Sequence, residues 1–236
     1  LDLYPNSLDI LARVNSENRF TLAVTTIPRA WVATSQVFKE YGYIKVALGL
    51  HPEIAVEKYN ELDLLLSSIP KSYFVGEVGI DGSTRYLKSL DKHELIFDST
   101  IRECEKAGGR IISIHSRNAV SKVLSILKKY PGCGKPVLHW FSGSVAELKD
   151  AVKMECFFSV NPVMTSTKKG KDLISRIPSL VLPESDGPFA SRKGNPVMPW
   201  EAMDVASALS ELWSVSKKAV EETLLRNLDS LMDGES

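Results

Sequence analysis

Four side chains in this sequence have the types and the placement to hold a divalent cation. Glu77 lies in Gly76-Glu77-Val78-Gly79-Ile80-Asp81, directly behind the apolar run Tyr73-Phe74-Val75. His115 follows Ile111-Ile112-Ser113-Ile114, His139 follows Pro136-Val137-Leu138, and Asp186 follows Leu180-Val181-Leu182-Pro183-Glu184-Ser185. Each falls where a short apolar run hands over to a loop. One carboxylate at such a point is ordinary loop chemistry, a lone histidine there is more often a structural hydrogen-bonder, and an Asp before Gly-Pro is a normal turn residue. The joint pattern is different. Glu, His, His and Asp at four strand ends supply the oxygen and nitrogen donors that surround a hydrolytic cation while leaving it open positions. Glu77 has two oxygens and could bridge two ions; His115 and His139 could each give one nitrogen. Asp186 is expected either as a ligand or as the base that takes a proton from water.

Other residues surround this set. Ser142-Gly143-Ser144 opens a helix, where free N–H groups favour anions, so Ser142 and Gly143 are candidate phosphate holders; plain capping explains them equally well. Arg117, two residues after His115, could reach a phosphate or stay in solvent. His51, in Gly49-Leu50-His51-Pro52, ends another strand and could contact substrate or support the site from behind. Trp140 and Phe141 could stack a base, although packing beneath the rim suits them better. His93 within a helix and Cys104 on an apolar helix face read as structural.

The elements that must position these groups alternate along the chain. Strands are expected over 20–26, 44–48, 73–78, 110–115, up to His139, 157–160 and 180–184. Helices are expected over 6–15, from Pro28 to about Tyr41, in the Leu-rich segment before Pro70, and over 91–107 with Phe97, Ile101 and Cys104 inward. Gly108-Gly109 stops the last of these. Further helices carry Val120, Val123, Leu124 and Leu127, then the capping-box pair Ser144 and Glu147, then 168–177. The tail from Pro199 is helical, with Val220, Leu224, Leu228 and Leu231 as its apolar stripe. Strand and helix thus alternate seven times, and a strand ahead of Leu1 would make eight. The expected fold is α/β, a TIM-type (β/α)8 barrel with a truncated first strand, forming one hydrolase domain over 1–236. An open doubly wound sheet would gather its chemistry at one crevice, whereas here candidates end at least four strands.

Composition narrows the class. A chain of 236 residues, 44% hydrophobic and 25% charged, can bury a sizeable core as a soluble globular protein. Lys and Arg total 29 and Asp and Glu total 29, so net charge gives no support for a broad nucleic-acid-binding surface, while leaving room for a local basic groove. Three cysteines without CxxC spacing fit a reducing compartment. No apolar run is long enough to span a membrane and no signal peptide is visible, so no membrane association and a cytoplasmic location are expected.

The motif series resembles the TatD family. Gly76 to Asp81, Ile114-His115-Ser116-Arg117, Leu138-His139-Trp140-Phe141-Ser142-Gly143 and Pro183-Glu184-Ser185-Asp186-Gly187-Pro188 come in that family's order, and Gly49-Leu50-His51-Pro52 is similar to its loop after the third strand. The resemblance implies a metal-dependent hydrolase on a TIM barrel. It implies a DNase with 3′-to-5′ exonuclease action, with Glu77, His115, His139 and Asp186 at metal-site positions; a pocket at a barrel mouth would suit single-stranded or frayed DNA ends better than uninterrupted duplex. One or two divalent ions are implied; Mn²⁺, Zn²⁺ and Mg²⁺ all suit such ligands.

A narrower resemblance carries Leu1 to Asn6, Gly82-Ser83, Gly108 to Arg117, Leu138-His139-Trp140-Phe141 and Asp186-Gly187-Pro188-Phe189. These segments are similar to the TatD-type nuclease of the Qat anti-phage defence system, which implies an ATPase and a QueC-like protein as partners. Departures are informative. The family's opening His-x-His stands just before a Leu-Asp segment like Leu1-Asp2, so these histidines are expected ahead of Leu1, in a longer natural protein. Ser185 replaces the usual Thr, and His93 stands where many members have Gln. Two rivals stay open: an amidohydrolase or an esterase that removes an aminoacyl group from tRNA, and a catalytically impaired subunit that binds defence partners.

Overall fold

In a computed structural model of the chain, residues 1, 3–177 and 180–233 are described. Asp2, part of the Leu1–Asn6 segment quoted above, lies outside the described residues. The element order is α1 (Ser7–Glu17), β1 (Thr21–Val24), α2 (Pro28–Phe38), β2 (Ile44–Ala47), α3 (Pro52–Ala55), α4 (Leu62–Ser68), β3 (Phe74–Gly79), α5 (Leu90–Lys106), β4 (Arg110–His115), α6 (Val120–Leu127), β5 (Gly134–Leu138), α7 (Val145–Lys153), β6 (Phe157–Val160), α8 (Pro162–Ser166), α9 (Lys168–Ile174), β7 (Val181–Pro183), a small hairpin of β8 (Ser191–Arg192) and β9 (Asn195–Pro196), α10 (Val205–Trp213) and α11 (Lys217–Met232). Short 3₁₀ turns fill several connections, among them Thr84–Ser89 and Pro199–Asp204.

Strands β1 to β7 run parallel and in chain order, the wall of a TIM-type barrel. β1 pairs with β2, β3 through β7 form a continuous five-stranded sheet, and a parallel bridge between Leu48 and Val75 joins the two. Among the described residues no pairing joins β7 back to β1. β3 is buried along its whole length, as befits a parallel strand covered on both faces. The helices close over the outside. α5 puts Ile96, Phe97, Ile101 and Cys104 on the core, and α6 puts Val120, Val123, Leu124 and Leu127 there, the expected stripes.

Some details depart from the sequence reading. In α11 the buried stripe is Val220, Leu224, Asn227 and Leu231; Leu228 is only half-buried. The Asn227 amide is turned inward because its Nδ2 donates to the Val181 carbonyl at 2.7 Å, tying α11 to β7. The tail is also not one helix: Ser214 takes a left-handed backbone, φ 55°, and separates α10 from α11. β1 ends at Val24, ahead of the expected boundary at residue 26, and this has consequences at the barrel mouth.

There Thr25 leaves the β1 ladder and bonds across the end of β2 to β3. Its N–H donates to the Gly76 carbonyl at 3.2 Å, and its carbonyl accepts from the Glu77 N–H at 3.1 Å. Gly49 lies beneath this crossing: a Cβ there would stand 1.9 Å from the Thr25 carbonyl oxygen and 2.5 Å from the Glu77 nitrogen. Gly49→Ala is therefore expected to force the two strand ends apart, costing about 1–3 kcal/mol of stability. Thermal unfolding beside a metal titration checks it, and an unchanged midpoint would show that the crossing is dispensable.

Candidate metal centre

Glu77 owes its direction to an irregularity in β3. Val75 pairs with Ile112 and Val78 with Ile114, so three steps on β3 match two on β4. The extra residue makes a bulge, a device that re-aims a side chain. Gly79 permits the close return to β4: its φ is 149°, and a Cβ would fall 2.0 Å from the His115 carbonyl oxygen. Glu77, a residue 6% exposed, then points its carboxylate into the barrel mouth.

Three imidazoles converge on its Oε1. His115 Nδ1 lies at 3.0 Å, His51 Nε2 at 3.4 Å and His139 Nε2 at 4.0 Å. His139 Nε2 is also 3.2 Å from Asp186 Oδ1. The outer nitrogens of the rings are held. His115 Nε2 meets Asp81 Oδ2 at 2.8 Å, and His139 Nδ1 meets Glu184 Oε2 at 2.7 Å. His51 Nδ1 accepts the Glu53 N–H at 3.2 Å, which leaves its Nε2 for Glu77. Glu184 is fixed in turn by the Ser159 hydroxyl and by Asn161 Nδ2 at 3.0 Å.

All four residues expected to form the metal set, Glu77, His115, His139 and Asp186, are thus brought together. His51 sits with them: one donor atom each from His51, Glu77 and His115 fall within 4.8 Å of one another. Asp81 and Glu184 are the pair that sequence reasoning passed over. Both stand in the quoted motifs, Asp81 four residues after Glu77 and Glu184 two before Asp186. Spacing gives no signal for either, because their roles depend on how the His115 and His139 rings are turned. Asp186 itself has φ 49°, a left-handed backbone that Asp and Asn tolerate, and its carbonyl accepts from the Ala190 N–H at 2.8 Å. Tyr4 closes the far end of this loop, donating its hydroxyl to the Val197 carbonyl at 2.8 Å; burial pushes that phenol up to about 12.

The remaining candidates lie farther out. Arg117 is exposed and forms no ion pair among the described residues. Ser142 is exposed and Gly143 half-buried, at the start of α7. That helix end carries a full capping box: the Glu147 carboxylate takes the Ser144 N–H at 2.7 Å and its hydroxyl at 2.8 Å. A carboxylate already seated there works against an incoming phosphate at the same N–H. Phe141 is fully buried against Phe158, ring centroids 5.3 Å apart, so it packs beneath the rim. His93 is buried under Tyr86, and neither ring nitrogen has a hydrogen-bond partner among the described residues. Burial raises all three cysteine thiols, Cys133 to about 11 and Cys156 to about 12, which leaves them inert.

Charge in the cluster is coupled. Burial would raise the Glu77 carboxyl, but His139, His115 and His51 outweigh it and hold it well below the carboxylate range. Burial would lower His115, yet hydrogen bonds to Asp81 and Glu77 carry it from 6.5 up to about 9. His139 likewise overcomes burial and rises well above its ordinary value through Glu184, Glu77 and Asp186. Asp81 overcomes burial in the other direction, lowered by His115 and Ser83. Burial lifts the Asp186 carboxyl, with His139 opposing.

These directions fix the stability of the metal-free protein against pH. The Glu77 and Asp81 carboxylates, lowered from 4.5 and 3.8, stabilise the fold above those values, and this is lost as pH falls through their folded pKa values. His115, raised, stabilises below 6.5, and this is lost as pH rises through about 9. Unfolding in chelator is thus expected to show a maximum near pH 4.5–6.5 and a decline toward 9. A divalent cation needs neutral imidazole, so its binding releases protons and strengthens as pH rises. Unfolding midpoints across pH, with chelator and with Mn²⁺, check this. Parallel profiles in the two series would refute it.

The donor set fits a divalent cation. Buried carboxylates and imidazoles face one another, and the outer nitrogens of His115 and His139 are taken by carboxylates, the arrangement that fixes a metal-ligating ring in one tautomer. When bound, such an ion supplies Lewis acidity toward an ester oxygen and toward water. Asp81→Asn is expected to weaken metal affinity about 10–100-fold with the fold intact, measured by calorimetric titration; unchanged affinity would show that His115 needs no orienting partner.

An α/β barrel with carboxylates and imidazoles at the C-terminal ends of its strands is a frame that suits metal-dependent hydrolysis. The family model for TatD related DNase matches residues 2–233. The uncharacterized metal-dependent hydrolase YabD of Bacillus subtilis (strain 168) is 26% identical over 94% of this chain and 91% of its own. The 3′-5′ ssDNA/RNA exonuclease TatD of Klebsiella pneumoniae (strain 342) is 24% identical over 83% of this chain and 81% of its own. Among solved structures, the TatD homolog YjjV of Escherichia coli K12 superposes with a TM-score of 0.84 at 23% identity, covering 96% of this chain and 91% of that one. The chain belongs to the TatD-related DNase family and is a metal-dependent hydrolase.

Proposed function

We propose that the chain removes nucleotides from the 3′ ends of single-stranded or frayed DNA by metal-dependent phosphodiester hydrolysis. The observation that carries this is the convergence of three imidazoles and Asp186 around the buried Glu77 carboxylate. Glu77, His115 and His139 hold the metal, with His51 as a further nitrogen donor, and Mn²⁺, Mg²⁺ and Zn²⁺ all suit the set. Asp81 and Glu184 keep the rings turned inward. Asp186, its carboxyl lifted by burial, orients water and accepts its proton. Arg117 at the mouth contacts a phosphate of the bound strand.

A site whose ligands lie largely buried at the ends of separate strands suits a strand end better than uninterrupted duplex. The Klebsiella relative's name, an exonuclease on single strands, supports the same polarity. Among the described residues no helix is long and apolar enough to cross a membrane, in keeping with action on DNA in the cytoplasm. A place in anti-phage defence, beside an ATPase and a QueC-like protein, rests on the sequence resemblance of the segments around Gly108–Arg117 and Asp186–Phe189.

The test follows the products from single strands labelled at either end, with Mn²⁺ and with chelator, beside RNA and small amides. Stepwise loss from the 3′ end, abolished by chelator, is the expected result. Amide turnover with DNA left intact would overturn the assignment in favour of an amidohydrolase.

A further inference from the structure

We propose that a groove at the N-terminal ends of β2 and β3, at the opposite end of the barrel from Glu77, binds the backbone of single-stranded nucleic acid. The groove has a volume of about 320 Å³ and lies between α2 and the first residues of the two strands. Lys39, Lys45 and Lys71 line it, with Trp31, Tyr41 and Tyr73 among them. No Asp or Glu lines it, and Glu40, the chain neighbour of Lys39, is not part of its wall. None of the three lysines forms an ion pair among the described residues. In a chain with 29 basic and 29 acidic residues this is a local excess of positive charge, held in a concave surface.

A second groove makes the contrast. It lies between α5 and α6, with a volume of about 730 Å³, and it also contains lysines. There Glu94 holds Lys122, and Asp98 holds Lys129 at 2.8 Å, so the charge is cancelled within the protein. Ammonium groups left without internal partners neutralise phosphates and release their counterions. Half-buried Trp31, Tyr41 and Tyr73 supply aromatic faces beside them, and a positive groove with such faces is how sequence-tolerant single-strand binders work. An acidic peptide would use the lysines but leave the rings without stacked bases. β2 spans four residues, about 13 Å. A strand that engages both sites must span at least this length, so the groove acts as a second hold on long substrates only. This deepens the nuclease reading above and rests on it for the class of substrate.

The experiment compares wild type with Lys39→Gln/Lys45→Gln/Lys71→Gln, by anisotropy of a long labelled single strand in chelator over a salt series. The triple variant is expected to bind at least about tenfold more weakly, with a salt slope smaller by about 2, the effect of three lost phosphate contacts. Hydrolysis of a dinucleotide should be unchanged, while cleavage of the long strand at low concentration falls. Equal affinity and slope in the two proteins would overturn the proposal. Polyglutamate displacing the strand as effectively as unlabelled DNA of equal charge would overturn the choice of nucleic acid. If wild type bound the strand through these lysines but hydrolysed no DNA of any length, the nuclease reading would fail while the groove stood.

Discussion

Glu77→Gln is expected to lower metal-dependent strand cleavage by about three orders of magnitude, a loss of about 4 kcal/mol in transition-state stabilisation. The substitution keeps the shape of a side chain that is 8% exposed and removes only its charge. That charge is the common partner of His51, His115 and His139. Without it a cation loses its buried anionic ligand, and His115 and His139 lose one of the carboxylates that raise their pKa values in the metal-free state. The same variant should therefore show a flatter decline in stability between pH 6.5 and 9. Kinetics with saturating Mn²⁺ provide the check. A residual rate within tenfold of wild type would mean that the catalytic cation is held elsewhere.

Asp186→Asn should cost about 10²–10⁴-fold in kcat with little change in KM. Asn is chosen because φ at this position is 49° and Asn accepts that conformation, so the loop to Val197 is preserved. What is lost is the base. The Asp186 carboxyl is pushed up by burial and lies 3.2 Å from His139 Nε2, facing the cluster. An equal fall in metal affinity would show that Asp186 acts chiefly as a ligand, and separate titration of metal distinguishes the two. Full activity in the variant would remove Asp186 from the mechanism.

Much of this arrangement is legible in the amino-acid sequence. The barrel wall was readable because each strand is a short apolar run and each helix a clear stripe; α5 and α6 bury the residues their spacing indicates. The strand-end polar residues were readable because a parallel barrel delivers all its C-terminal strand ends to one face. What escaped notice depends on contacts between distant residues. The bulge that aims Glu77 is set by the pairing of β3 with β4 and by Thr25 reaching across β2. Asp81 and Glu184 acquire their roles only once the His115 and His139 rings are oriented, which no spacing reveals. Asn227 replaces Leu228 on the buried face of α11 because the Val181 carbonyl needs a donor, a demand made by β7 and not by the helix. The basic groove is likewise assembled from lysines 26 to 32 positions apart or on neighbouring elements, in a chain whose net charge is zero.

The most direct test of the account is anomalous diffraction from crystals soaked in Mn²⁺, recorded on the inactive Asp186→Asn variant with a short single strand bound. The account predicts a peak within bonding distance of Glu77 and of the inward nitrogen of His115 or His139, with the strand's terminal phosphate beside it. A strand bound at the mouth with no peak at Glu77, or a peak coordinated only by residues outside this cluster, would contradict it.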